Sequence, residues 1–254
     1  MIYSPRYHFL FCHVPKTGGS SMRRALLPFR SWRETSLASR ALRKLPVLGQ
    51  TALLYDYANR PHTTCSKALK SLGRESFAKL KRFAICRDPL DWLFSCYKFF
   101  LLGGSSIKGS LRPSPSSFEV YIDQMLELGD DKPSQAMMVC DYQGRLLVDR
   151  IGLYHRLDDF YEDLKGYLKV RLPPLQHLNH NPFMSRASVP HISTELLAKI
   201  QAGWCADWEI WELAQSVSGK SVAGCQIRGS FRSSLGIESY DPWGAFSWTS
   251  GNAV

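Results

Sequence analysis

The sequence predicts an α/β fold in which a central, mainly parallel sheet is flanked by helices. Three observations carry that expectation. A near-continuous apolar run over residues 7–14 has the composition of a strand buried on both faces. It passes through a short turn holding Gly18 and Gly19 into a helical pattern, with Met22, Ala25 and Leu26 on one face and Pro28 as the stop. A second apolar strand, 83–86, is followed by Asp88 as a helix cap and Pro89 in the first turn. Its helix then carries Leu90, Leu93, Phe94, Tyr97 and Leu101 as a core-facing stripe.

The remaining elements follow the same logic. Ser20 or Ser21 can start the first helix, and Thr63 or Thr64 can cap another that carries Ala68, Leu69 and Leu72 and stops at Gly73. Residues 118–128 read as a helix. Leu197, Ile200, Trp204, Trp208 and Trp211 form a last helical stripe whose aromatics read as core. Residues 30–60, where Arg33, Arg40, Arg43 and Lys44 are interspersed with leucines, are expected to be irregular with one short helix, and 51–57 offers a further strand. Residues 103–117 are rich in Gly, Ser and Pro and read as a loop carrying Lys108 and Arg112. One domain is expected over 1–214, with 215–254 a poorly ordered or docking tail in which Trp243 and Trp248 could pack.

A chain of 254 residues with 44% hydrophobic content is long enough for one domain with a proper core. The formal charge of +10 bears on partners rather than fold, and suits an anionic ligand or polymer. No basic run of five or more residues occurs, which disfavours a nucleic-acid-binding tail. The seven cysteines lack C-x-x-C pairs, so neither a disulfide framework nor a zinc site is expected. Residues 1–6 are too short and polar for a leader or membrane anchor, and the expected location is cytoplasmic.

The chemistry concentrates in the turn His13-Val14-Pro15-Lys16-Thr17-Gly18-Gly19-Ser20-Ser21. Glycines allow close backbone approach, and the amides at a helix start attract anions. A lysine and three hydroxyls in one turn make phosphate the natural guest. In the common nucleoside triphosphate loop the lysine follows the glycines; here Lys16 precedes them. Arg87, between a strand end and a helix start, lies where parallel-sheet ligands bind, and its guanidinium suits a phosphate. An ion pair with Asp88 or Asp91 is the alternative reading of that arginine. Ser95 aligns with Asp91 and Lys98 on the face opposite the apolar stripe.

This turn resembles the 5′-phosphosulfate loop of sulfotransferases that use 3′-phosphoadenosine 5′-phosphosulfate (PAPS), in particular their carbohydrate branch and its soluble bacterial members. Residues 81–97, with Arg87-Asp88-Pro89, Ser95 and Tyr97, are similar to the family's 3′-phosphate motif, except that Trp92 stands where arginine is frequent. The resemblance implies a P-loop-like three-layer domain that moves a sulfuryl group from PAPS to an acceptor hydroxyl, most simply of a carbohydrate, without a metal. It implies that Lys16 reaches the leaving oxygen, that Thr17, Gly18, Gly19, Ser20 and Ser21 hold the 5′-phosphate, and that Arg87 and Ser95 bind the 3′-phosphate. Ser95 would also restrain Lys16 until the acceptor arrives. The family's glutamate after a later strand is replaced here by His155.

For the base that takes the acceptor proton, His62 is the candidate among seven histidines. It falls between the two motifs and near a helix start, where the dipole disfavours imidazolium. His13 reads as a support of the loop's shape, and His177 and His180 lack the carboxylate partners of a metal site. Two rival functions are an ATP-dependent phosphotransferase and a non-catalytic module that binds nucleotides or polyanions.

Overall fold

The computed structural model describes residues 1–30, 62–103, 114–176, 178, 190–217 and 220–228. The expectations for 31–61, for Lys108 and Arg112, for His177 and His180, and for Trp243 and Trp248 lie outside the described residues.

The centre is a four-stranded sheet in the order β1 (Ile2–Ser4), β2 (Phe9–Cys12), β3 (Lys81–Cys86), β4 (Arg150–Leu153). β2, β3 and β4 run parallel, with Phe11 opposite Phe83 and Ala84 opposite Ile151. β1 pairs antiparallel with β2. This first strand is not evident from the sequence, where residues 1–6 look merely short and polar. In the fold Ile2 and Tyr3 are buried against their neighbours, and a tight turn with His8 at φ 52° returns the chain into β2.

Alternation along the strands divides the interior in two, as strands buried on both faces require. Phe9, Phe11, Phe83 and Ile85 point to one face, where α1 (Gly19–Leu26) contributes Met22 and Leu26. A later helix on that face adds Phe160, Tyr161 and Leu164. Leu10, Cys12, Ala84 and Cys86 point to the other face, beneath a larger helical layer. That layer contains α2 (Cys65–Leu72), the short α3 (Arg74–Ala78), α4 (Pro89–Leu101), α5 (Phe118–Glu127) and α6 (Gln135–Val139). After β4 comes α7 (Leu157–Leu168), followed by α8 (Thr194–Gly203) and α9 (Cys205–Val217). Helix, sheet and helix make the three layers, and the α/β class expected from the sequence is the one observed.

Local signals explain most boundaries. The Thr64 hydroxyl accepts from the Lys67 amide at 3.2 Å, and Gly73 ends α2 at φ 75°. The Asp88 carboxylate caps α4 by accepting from the Asp91 amide at 2.9 Å, with Pro89 directly after it. Two expectations need correction. The core face of α4 is wider than expected: Leu93 and Phe94 are buried and Leu90 and Tyr97 pack against the core, but Trp92, Cys96 and Phe100 are buried as well, whereas Leu101 is 57% exposed. The tryptophan-rich stripe is not one helix but two, because the chain leaves helical geometry at Trp204 (φ −124°, ψ 36°) before α9 begins. Trp204 is buried and its indole donates to the Pro133 carbonyl at 2.8 Å, an interaction that favours the break.

α9 continues to Val217, and residues 220–228 pack onto the domain. The Val222 amide donates to the Asp149 carbonyl at 2.8 Å, and Val222 and Ile227 are buried. Among the described residues no helix is long and apolar enough to cross a membrane.

Candidate functional site

Three strand ends converge at the carboxyl edge of the sheet, the usual ligand side of a parallel α/β fold. β2 runs into the loop 13–18, β3 ends at Cys86 just before Arg87, and β4 ends at Leu153 just before Tyr154, so that Arg87 and Tyr154 stand at the last two strand ends. Each of the last two reaches back to the loop. The Arg87 Nη1 donates to the Lys16 carbonyl at 3.1 Å, and its guanidinium lies 4.4 Å over the Tyr154 ring. The Tyr154 ring in turn lies so close to Gly18 that a Cβ there would come within 3.2 Å of it.

The loop itself has an uncommon backbone. Lys16 (φ 63°) and Gly18 (φ 76°) both adopt the left-handed conformation, which for lysine carries strain. Its carbonyls are pinned: the Trp92 indole donates to the Pro15 oxygen at 2.8 Å, and Arg87 takes the Lys16 oxygen. With those carbonyls held by Arg87 and by Trp92 of α4, the backbone alternates in the manner of the amide concavities that bind anions. Trp92 is 1% exposed, so the departure from the familiar arginine is a structural clamp on the loop.

α1 begins at Gly19, with Gly18 as its cap, rather than at the serines. No side chain caps this end and its first turn holds no acid, which leaves the helix start suited to an anion. The hydroxyls are used differently from expectation. The Thr17 hydroxyl is fully buried and donates to the Val14 carbonyl at 2.8 Å, and the Ser21 hydroxyl accepts from the Leu178 amide at 2.9 Å. Ser20 is the partly exposed hydroxyl of the turn.

Positive charge gathers here. Burial lowers the Lys16 pKa, an effect that Cys96 opposes and that the Arg87 and Lys98 cations reinforce. Burial and the Arg87 charge likewise lower Lys98. Lys16 Nζ lies 4.4 Å over the Phe99 ring. Asp91 answers part of this charge through its 2.6 Å ion pair with Arg87 Nε, the alternative that the sequence left open. The guanidinium has more N–H donors than Asp91 and Lys16 use, so the pair and an anion can be held together. A polyanion would relieve the mutual repulsion of these cations, and the residues present suit a phosphorylated ligand.

Ser95 is only 7% exposed, whereas Asp91 and Lys98 on the same face of α4 are partly exposed. His62 is 8% exposed and its ring packs tilted against that of His13, with centroids 4.8 Å apart, while His13 itself fills the space above Gly19. Its pKa falls from 6.5 to about 3, chiefly through burial, then through the positive amino terminus and Arg23. The direction agrees with the sequence reading; the main cause is burial rather than the helix dipole. His155 is exposed, and its neighbour Tyr154 is the residue that meets the loop.

The sequence reading missed Tyr154 and Gln135. Tyr154 closes the apolar run of β4, and that position at a strand end was the available signal. Gln135 is 1% exposed and grips the Arg87 main chain, a contact across 48 residues with no local signature. Among the described residues no cluster of three metal-capable side chains occurs, and all seven cysteines are free thiols.

Fold and site together define an α/β protein with a mostly parallel sheet and with Lys16 and Arg87 gathered at its carboxyl edge. Residues 1–120 match the model of a family described as the sulfotransferase family. That stretch holds both the lysine-first loop and Arg87, and the match supports sulfuryl transfer as the general activity. No curated protein and no solved structure matches the chain.

Proposed function

We propose that this protein is a PAPS-dependent sulfotransferase of the carbohydrate type, acting on an acceptor hydroxyl. The observation that carries the reading is the meeting of a lysine-first loop with Arg87 at one sheet edge, 3.1 Å apart, inside the segment that matches the family.

When bound, the donor supplies an activated sulfur: its bond to the 5′-phosphate oxygen breaks as the acceptor oxygen bonds to sulfur, releasing adenosine 3′,5′-bisphosphate. Lys16 compensates the charge that grows on the leaving oxygen, and the amides of residues 17–20 hold the 5′-phosphate, that of Ser21 being bonded to the Gly18 carbonyl. Arg87, with Ser95 on the adjoining helix, takes the 3′-phosphate. Lys16 and the loop amides act by position and charge, as in phosphoryl transfer. His62 is the proposed base. With a pKa near 3 it is neutral at physiological pH and only weakly basic. It takes the acceptor proton late, once the bond to sulfur has made that proton strongly acidic.

Calorimetric titration with PAPS, adenosine 3′,5′-bisphosphate and ATP, followed by assay with labelled PAPS and a panel of glycan acceptors, tests the reading. Tight binding of the two 3′-phosphorylated nucleotides and label transfer to an acceptor are expected. Lys16→Ala should abolish transfer while retaining nucleotide binding, whereas Arg87→Ala should weaken that binding about tenfold or more. Preference for ATP would favour a phosphotransferase. Binding without transfer across the panel would favour a non-catalytic module.

A further inference from the structure

The carboxyl edge contains a buried connection that the transfer chemistry does not use. Gln135, the first residue of α6, spends its whole side-chain amide on one residue of the neighbouring strand. Its Oε1 accepts from the Arg87 amide at 2.9 Å and its Nε2 donates to the Arg87 carbonyl at 2.8 Å. A glutamine used this way acts like one more strand residue: it fixes the main chain of Arg87 where β3 has ended and α4 has not begun.

Gln135 is itself fixed from behind. Asp207, fully buried on α9, accepts from the Gln135 amide at 3.0 Å, the Ala136 amide at 2.9 Å and the Ser134 hydroxyl at 2.6 Å. Burial raises the pKa of that carboxyl, and these three hydrogen bonds oppose the rise. The carboxylate therefore ties the start of α6 to α9, and α6 presents Gln135 to the sheet edge. Beyond Arg87 the connection continues, because the guanidinium bonds the Lys16 carbonyl and stacks on Tyr154.

We propose that Gln135, seated by Asp207, is a positioning residue that holds Arg87 in register for the second phosphate and so sets the preference for 3′-phosphorylated nucleotides. This rests on the reading of the site as a PAPS site. Gln135 touches no ligand. It acts through Arg87, since a main chain held at both its N–H and its carbonyl leaves the guanidinium few directions in which to point.

The test is a double-mutant cycle read as nucleotide discrimination. Affinities for adenosine 3′,5′-bisphosphate and for adenosine 5′-phosphate are measured by calorimetry on the full chain: wild type, Gln135→Met, Arg87→Ala and the double variant. Gln135→Met is expected to cut the preference for the bisphosphate about five- to tenfold, with adenosine 5′-phosphate binding changed less than about twofold. In the Arg87→Ala background the same substitution should leave the preference unchanged. A preference untouched by Gln135→Met, or lowered equally with and without Arg87, overturns the proposal. Gln135→Glu keeps the shape and the acceptor but loses the donor, so it carries the same comparison if Gln135→Met fails to fold. A wild type with no preference for the bisphosphate would instead refute the PAPS reading, and this proposal with it.

Discussion

The clamp between Trp92 and the loop offers the most direct stability experiment. Trp92→Phe removes the indole N–H while retaining an aromatic ring. The Pro15 carbonyl loses its 2.8 Å partner in a place where Trp92 is 1% exposed. Leaving a buried acceptor unsatisfied costs about 1–3 kcal/mol. The smaller ring leaves a void worth about 1 kcal/mol more. A total near 3 kcal/mol corresponds to a fall in Tm of about 6–12 °C for a domain of this size. Differential scanning calorimetry, with and without adenosine 3′,5′-bisphosphate, measures both the fall and any loss of ligand-induced stabilisation. Trp92→Arg, which restores the residue common in the resembling motif, should be worse, because it buries a charge where an indole packed. A Trp92→Phe protein that melts within about 2 °C of wild type, with its ligand shift intact, would refute the clamp.

Two further outcomes follow from the packed His13 and His62 rings. A Cβ on Gly19 would fall 1.9 Å from the His13 ring, so Gly19→Ala should destabilise the protein by about 2–3 kcal/mol and weaken nucleotide binding. Adding His13→Ala to that variant should restore part of the stability in urea unfolding; no recovery would mean that the ring is not what the methyl meets. His62 makes stability pH-dependent. Its folded pKa of about 3 lies below the ordinary 6.5, so the unfolded chain binds the extra proton between those values. The stabilisation from its neutral form is complete above 6.5 and is lost as pH falls towards 3, with a slope of up to about 1.4 kcal/mol per pH unit. The difference between wild type and His62→Asn in urea midpoints across that range should carry the slope, and parallel curves would show that His62 is not the source.

Much of this architecture was legible because its signals are local. The apolar runs that became β2 and β3, the caps at Thr64 and Asp88, and the stop at Gly73 each depend on a few adjacent residues. The glycines and the lysine ahead of them raise the expectation of an anion loop for the same reason. What was not legible depends on partners distant in the chain. β1 exists because β2 offers it an edge, and α8 separates from α9 where the Trp204 indole finds the Pro133 carbonyl. The buried face of α4 is wider than its apolar period because Trp92 turns inward to the loop, which no helical period could reveal. Likewise the hydroxyls of Thr17 and Ser21 looked like phosphate ligands until the Val14 carbonyl and the Leu178 amide were seen to engage them.

The pinned carbonyls of Pro15 and Lys16 also have a kinetic consequence. A loop already held in shape by Arg87 and Trp92 would add no rearrangement step to ligand arrival, so the association rate would be set by diffusion and by charge. Lys16, Arg87 and Lys98 would draw a multiply charged nucleotide from a distance comparable with the screening length of the solution. The on-rate should therefore fall steeply with added salt, while the off-rate, governed by contacts already formed, changes far less.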